Sequence, residues 1–294
     1  MTPRTSPDRI ITASVTGPRL RLDPRRHIAT GAITDIALAG SVASGRYVAP
    51  AALACRVPRT ALRASGSADA TAVSELLWGE GFDLFVVAGD WGFGRSAHDR
   101  YTGWVAMAAL GDADPAPTRA VTARTAPLFA APDIKSPVLA ELPFGARLAG
   151  ADAGGFFALA SGGFVHHRHL AALPPTPLAI ARRFTGAPYL WGGRTPHGVD
   201  CSGLVQAALM ACGIACPRDS DQQREELGAA VDFADRRGGD LIFFLGHVAI
   251  LADADTVFHA NAWWMATTEE PLADVIARLE AAGTPVAVTG VRRL

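Results

Sequence analysis

The stretch Gly198-Val-Asp-Cys-Ser-Gly-Leu-Val-Gln-Ala-Ala-Leu-Met210 decides how this chain is read. Asp200 belongs to the residue types that cap helices by accepting from their first free N–H groups, and Leu204, Val205, Ala208 and Leu209 then recur at the spacing of one helical face. The spacing predicts a helix over 201–212, stopped by Gly213. Cys201 then stands at a helix N-terminus, where unpaired N–H groups and the macrodipole favour thiolate. A cysteine so placed is either a small buried hydrophobe or a nucleophile, and its partners decide which.

The partners lie further along. Leu241-Ile-Phe-Phe-Leu-Gly-His-Val-Ala-Ile-Leu251 is apolar apart from His247, so a strand can present that one imidazole at a fixed place as a general base. His259, in Val257-Phe-His-Ala260, falls on the next expected strand, where adjacent ladders bring two rings side by side and the second orients the first. Around these residues, 178–185 reads as a helix, 186–200 as a Gly-rich loop, and 240–251 and 256–260 as apolar strands. The pattern is α+β.

Upstream, Leu173-Pro-Pro-Thr-Pro177 cannot continue a helix or a central strand and marks a boundary. Before it, residues 55–112 and 118–173 share one grammar of short β-type runs. Ala61-Leu-Arg-Ala64 is echoed by Pro127-Leu-Phe-Ala130, Ser74-Glu-Leu-Leu-Trp-Gly79 by Ala140-Glu-Leu-Pro-Phe-Gly145, and Gly103-Trp-Val105 by Gly163-Phe-Val165. The period is roughly 60 to 66 residues, as in a duplicated module. Both copies resemble bacterial SH3-like domains, so two small all-β barrels are expected. Residues 1–54 read as an N-terminal extension with one short helix over 27–38.

Six ordered motifs carry a closer resemblance: Pro188-Tyr-Leu-Trp-Gly-Gly193, Asp200-Cys-Ser-Gly203, Pro217-Arg-Asp-Ser220, Gly239-Asp-Leu-Ile-Phe-Phe244, Gly246-His-Val248 and Phe258-His-Ala260. Together they resemble the NlpC family of papain-like cysteine peptidases, which implies a catalytic domain over 178–294 with Cys201 as nucleophile, His247 as base and His259 orienting it. With two SH3-like modules upstream, the chain is similar to γ-D-glutamyl-L-diamino-acid endopeptidases, also called dipeptidyl-peptidase VI. That resemblance implies a small murein peptide with a free L-Ala amine as substrate and a role in cell-wall peptide recycling. It also implies that Asp219, Ser220, Tyr101 and Glu80 line the amine end, with Glu75 competing for the place of Glu80. Tyr189 and Trp191 would wall the cleft, and Asp200 and Ser202 would hold the D-Glu main chain. Asp219 is also an N-cap candidate for a helix beginning near Gln222, and both roles can coexist.

Composition narrows the classes. The 294 residues carry 27 Lys and Arg against 28 Asp and Glu, so no overall field draws the chain to nucleic acid or an anionic membrane. Gly, Pro or charge interrupts every apolar run before it could span a bilayer. The only apolar run near the N-terminus, 10–15, is broken by Thr and Ser, unlike a signal-peptide core, so a cytoplasmic protein is expected. Four cysteines do not make a disulfide scaffold and leave Cys201 free as a thiol in a reducing compartment. His166-His-Arg-His169 lacks a completing Cys or carboxylate cluster, and Cys212 and Cys216 lack a second pair, so no metal or other cofactor is expected. Rival readings are a secreted wall hydrolase whose modules bind polymer, an inactive peptide-binding protein, and an acyl transferase on the same fold.

Overall fold

The computed structural model describes residues 20–284 and 287–294. The run 10–15, on which the export reading rests, lies outside the described residues. The Gly- and Asp-punctuated runs before residue 112 fold as a seven-stranded antiparallel sheet, in the order Ala72–Leu77, Arg59–Arg63, Thr102–Ala106, Trp91–Ser96, Gly81–Ala88, Ala51–Cys55, Leu110–Gly111. The following unit has five strands in the order Val138–Pro143, Thr125–Phe129, Phe164–His166, Phe156–Leu159, Gly150–Ala153. Numbered along the chain from Arg59 and from Thr125, five strands of each unit lie in the same spatial order: second, first, fifth, fourth, third. Leu62, Leu76, Phe82 and Val105 fill the first core, and Ala126, Leu142, Leu148 and Val165 the second.

Three expectations need correction. Neither ladder closes on itself among the described residues, so the units are open sheets rather than closed barrels. At the edge strand Ala72–Leu77 the Glu75 carbonyl accepts from Arg194 of the third unit at 2.7 Å. The expected helix over 27–38 is instead the two-residue strand Thr34–Asp35 followed by a 3-10 turn, Ile36–Leu38, started by Asp35 accepting from Ala37 N–H. Ile28 and Ile33 are drawn down onto Phe85 of the first sheet, which removes them from any helical face. Finally, the extension does not end at residue 54, because strand Ala51–Cys55 is part of the first sheet.

The two sheets touch at the turn Trp78-Gly79, where Arg147 N–H donates to the Trp78 carbonyl at 2.8 Å. Gly79 has φ +74°, and a Cβ there would lie 2.1 Å from the Arg147 carbonyl oxygen, so both the turn and the approach require glycine.

The third unit begins with helix α1 (Pro177–Ala181), with Thr176 as N-cap and Pro177 in its first turn. A 3-10 turn continues it to Phe184. Then come α2 (Cys201–Ala211), α3 (Ser220–Glu226) and α4 (Leu272–Ala281) around a six-stranded antiparallel sheet. Its order is Ala229–Val231, Val288–Arg293, Leu241–Phe244, His247–Leu251, Thr256–Asn261, Ala266–Pro271. Strand side chains alternate between faces, and both faces are covered. Leu241, Phe243, Val248 and Ile250 pack with Leu204, Val205 and Ala208 of α2, while Ile242, Phe244, Ala249 and Leu251 pack with Leu272 and Val275 of α4. This double burial explains a run that reads as continuously apolar, each filled position contributing about 1.5–3 kcal/mol for a large side chain. Helix α4 and the strands flanking it were not anticipated from the sequence.

Candidate active site

Residue Cys201 opens α2, and the chain before it is locked by Asp200. One carboxylate oxygen accepts from Gly203 N–H at 2.7 Å, capping the helix, and the other accepts from Gly192 N–H at 2.8 Å. Arg218 closes the arrangement: it pairs with Asp200 at 2.6 Å, donates to the Ser202 hydroxyl at 2.9 Å and reaches Ser74 of the first unit at 3.1 Å. Asp200 and Arg218 are both buried, a tolerable arrangement because each charge has its partner. Arg218 sits inside a recognised motif, yet sequence reasoning assigned it no role.

The thiol is 7% exposed, and the N–H groups of Ser202 and Val248 face its sulfur. Burial first, and the Asp200 carboxylate next, push it up to about 11, against the opposing pull of those N–H groups and Arg218. The expectation of a resting thiolate at the helix start is therefore reversed, because desolvation outweighs the partial charge of the helix end. Among the described residues no hydrogen bond joins the sulfur to His247.

His247 and His259 do meet. His247 Nε2 lies 2.8 Å from His259 Nδ1, with the ring centroids 5.0 Å apart. Burial, and then the neighbouring His259, hold His247 down at about 3, so it is a neutral base. The far nitrogen of His259 lies 2.8 Å from a carboxylate oxygen of Glu270, a residue the sequence reading missed. Strand register explains the meeting: His259 is opposite Thr268, so Glu270 is its diagonal neighbour on the same face. Burial would raise Glu270, but His259, Arg278 and the Trp264 indole hold it at about 2. Its oxygens accept from Arg278 at 2.6 Å and Trp264 Nε1 at 3.1 Å. An ionised carboxylate takes the proton-bearing nitrogen of His259, leaving Nδ1 to accept from His247 Nε2–H. Asn261 Nδ2 also approaches His259 Nε2 at 2.8 Å, but the charge-assisted bond to Glu270 prevails over that neutral contact. His247 Nδ1 thus keeps a free lone pair.

A cavity of about 260 Å³ adjoins the sulfur and brings together Cys201, Asp200, Ser202, Asp219, Ser220, Trp191 and Tyr101. Tyr101 comes from the first unit, presented by a turn in which Asp99 accepts from Tyr101 N–H at 2.9 Å and Arg100 adopts φ +64°. Asp99 also accepts from Gln206 Nε2 of α2 at 2.9 Å, which docks the turn on the third unit. The Tyr101 hydroxyl donates to Asp219 Oδ2 at 2.9 Å. Asp219 occupies the N-cap position of α3, yet its side chain makes no cap hydrogen bond. Trp191, 64% exposed, stands at the rim. Tyr189 is not among the cavity-lining residues, although burial and the nearby Cys201 raise its hydroxyl to about 12, so it stays protonated.

The structure does not bring Glu80 into this cavity. It is buried against Arg194, which reaches its two oxygens at 2.8 and 3.1 Å, and it accepts from Leu77 N–H at 2.9 Å. Glu75 is likewise engaged, by Arg59 at 2.7 Å and Arg194 N–H at 2.8 Å. Both carboxylates bond the first unit to the third. A larger cavity, about 400 Å³, lies at this junction, lined by Glu80, Arg194, Phe144 and Met210, with neither thiol nor imidazole in its wall.

Comparison with known proteins adds to this geometry. Residues 186–271 match the NlpC/P60 family and residues 62–110 the bacterial dipeptidyl-peptidase Sh3 domain. A Bacillus cereus γ-D-glutamyl-L-lysine dipeptidyl-peptidase is 36% identical over 99 residues, 29% of each chain. A bifunctional muramidase/DL-endopeptidase of Bacillus subtilis is 36% identical over 97 residues, again 29% of each. The matches thus span less than a third of these relatives. A crystal structure of an NlpC/P60 family protein from Bacillus cereus superposes with TM-score 0.69 at 21% identity, covering 83% of this chain and 99% of that one, a likeness of fold.

Proposed function

This chain carries a domain of the NlpC/P60 family, a family of cysteine peptidases, and from that premise we propose that it hydrolyses the γ-D-glutamyl–diamino acid bond of short murein peptides that begin with a free L-Ala amine. The observation that carries the reading is the cavity in which the Cys201 sulfur and the Asp219 carboxylate face one space, with Tyr101 of the upstream unit closing it. A carboxylate at a fixed distance from a nucleophile suits a peptide measured from its ammonium end. A cytoplasmic recycling role belongs to this reading, since such peptides are products of polymer already dismantled. The shared strand order supports treating 118–173 as a second SH3-like module, followed by a catalytic domain over 178–294.

In the reaction, His247 Nδ1 takes the thiol proton as Cys201 Sγ attacks the γ-carbonyl carbon of D-Glu. The oxyanion meets the N–H of Cys201 at the start of α2. The intermediate collapses, the C–N bond breaks, and His247 gives its proton to the leaving amine, which leaves a thioester. Water, deprotonated by His247, cleaves the thioester, and the thiol recovers the proton. His259 holds His247 in the required tautomer throughout, while Asp200 and Ser202, oriented by Arg218, hold the D-Glu main chain. Because the resting thiol is protonated, proton removal belongs to the attack itself rather than preceding it.

The test is release of diaminopimelate from L-Ala-γ-D-Glu-diaminopimelate by wild type and Cys201→Ala. Release by the wild type, abolished in the variant, is expected. A wild type that binds the peptide without cleaving it refutes the enzymatic reading.

A further inference from the structure

The amine end of the cavity has a wall that comes from neither the catalytic domain nor the sheet that carries Tyr101. Residues 23–27 form a tight turn, with His27 N–H donating to the Asp23 carbonyl at 2.8 Å. The turn is stapled on both sides. Thr102 of the first sheet binds the carbonyls of Pro24 and Arg25, each at 2.8 Å, and Gln222 of α3 donates to Asp23 Oδ2 at 2.9 Å. From this turn Arg25 extends into the cavity wall beside Asp219, Asp221 and Tyr101. Its guanidinium donates to Asp219 Oδ2 at 2.7 Å and to both oxygens of Asp221 at 2.9 Å, and Asp23 steadies its other edge at 2.8 Å.

Asp219 Oδ2 therefore receives two donors, Arg25 and the Tyr101 hydroxyl, while Oδ1 receives none among the described residues. The carboxylate is held at one oxygen and open at the other. Three carboxylates, Asp23, Asp219 and Asp221, surround one guanidinium, so this end of the cavity keeps a negative balance and still favours a cation. The cavity keeps about 260 Å³ with Arg25 in the wall, so the guanidinium acts as a wall and not as a plug.

We propose that Arg25 is a specificity-determining residue of this site: it fixes Asp219 with one oxygen free for the substrate ammonium, and it walls off the space that an acyl group or a preceding residue on that nitrogen would need. This rests on the amine-measuring reading above and adds the N-terminal turn to it.

The experiment compares kcat/KM for L-Ala-γ-D-Glu-diaminopimelate and its N-acetylated copy in wild type, Arg25→Ala, Arg25→Lys and Arg26→Ala. Arg26 lies on the same turn but pairs with Glu226 away from the cavity wall, so its variant reports on seating of the turn alone. Arg25→Ala should lower the preference for the free amine by about tenfold or more, through KM and with kcat retained, as expected for loss of a charge-assisted fork. Arg25→Lys should restore part of that preference, and Arg26→Ala should keep the wild-type ratio. An unchanged ratio in Arg25→Ala, or an equal loss in Arg26→Ala, overturns the proposal while leaving the peptidase reading standing. A wild type that cleaves both peptides alike removes the amine-measuring reading itself.

Discussion

Replacing Glu270 by Gln tests whether the proton arrangement of the two histidines is set from behind. The carboxylate of Glu270 lies 2.8 Å from His259 Nε2 and also takes bonds from Arg278 at 2.6 Å and Trp264 at 3.1 Å. Gln keeps the shape but has only one acceptor atom. Whichever way its amide turns, its NH2 group meets a donor, either His259 or the Trp264 indole. With the NH2 toward His259, that ring loses its acceptor and the proton can move to Nδ1, which would put a hydrogen on the His247 nitrogen meant for the thiol; with the NH2 toward Trp264, a neutral oxygen holds Nε2–H more weakly than the carboxylate did. A hydrogen bond to a charged group is worth about 1.5–3 kcal/mol, so kcat should fall roughly ten- to hundredfold. KM should hold, because Glu270 does not line the cavity. Steady-state hydrolysis of L-Ala-γ-D-Glu-diaminopimelate gives both constants, and nitrogen NMR of the two rings reports the tautomers directly. A folded Glu270→Gln protein with wild-type kcat and an altered tautomer would refute the link between tautomer and rate.

The buried thiol gives a second expectation: iodoacetamide labelling of Cys201, followed by peptide mass mapping, should accelerate through pH 9 to about 11, and a plateau already at neutral pH would mean a resting thiolate. Glu80→Ala should leave KM unchanged and lower stability by about 3–5 kcal/mol in denaturant unfolding, since it strands Arg194 without its buried partner; a raised KM with intact stability would return Glu80 to the substrate pocket. Acid should destabilise the fold in two steps. His247 is held at about 3 against an ordinary 6.5, so the unfolded chain binds a proton that the folded chain refuses, and stability falls as pH drops through that window. Glu270, held at about 2 against 4.5, contributes stability that is present above 4.5 and lost as pH falls toward 2. Chemical denaturation of His247→Gln across pH 7 to 3 should show a shallower loss than the wild type, and an identical slope would assign the acid sensitivity elsewhere.

Local signals made α2 and the histidine pair legible in the sequence. A capping Asp, a helical apolar face and a lone imidazole in an apolar run are each complete within a dozen residues. Glu270 was illegible because its strand, Ala-Thr-Thr-Glu-Glu-Pro, reads as polar surface, and only strand register places it behind His259. Arg25 was out of reach for another reason: it lies 194 residues from Asp219, and nothing in its surroundings announces a partner. Glu80 was misplaced because the Trp-Gly-Glu pattern says where the turn is, whereas the charge that claims its carboxylate, Arg194, arrives from another unit. The thiol was misjudged in sign, since a helix start can be read from sequence but the burial that overrides it cannot.

The bond between Gln206 and Asp99 has a consequence for how such chains can be inherited and engineered. The helix bearing the sulfur has its middle tied into the upstream sheet, through Gln206 to Asp99, while Arg194 reaches Glu80 and Arg218 reaches Ser74. A gene fusion joining this peptidase domain to a different upstream unit would leave three buried polar side chains, Gln206, Arg194 and Arg218, each short of a partner it now has. The Pro-rich linker reads like a seam for cutting, but these bonds make the two sides one object, and any exchange across it must carry Asp99, Glu80 and Ser74 along.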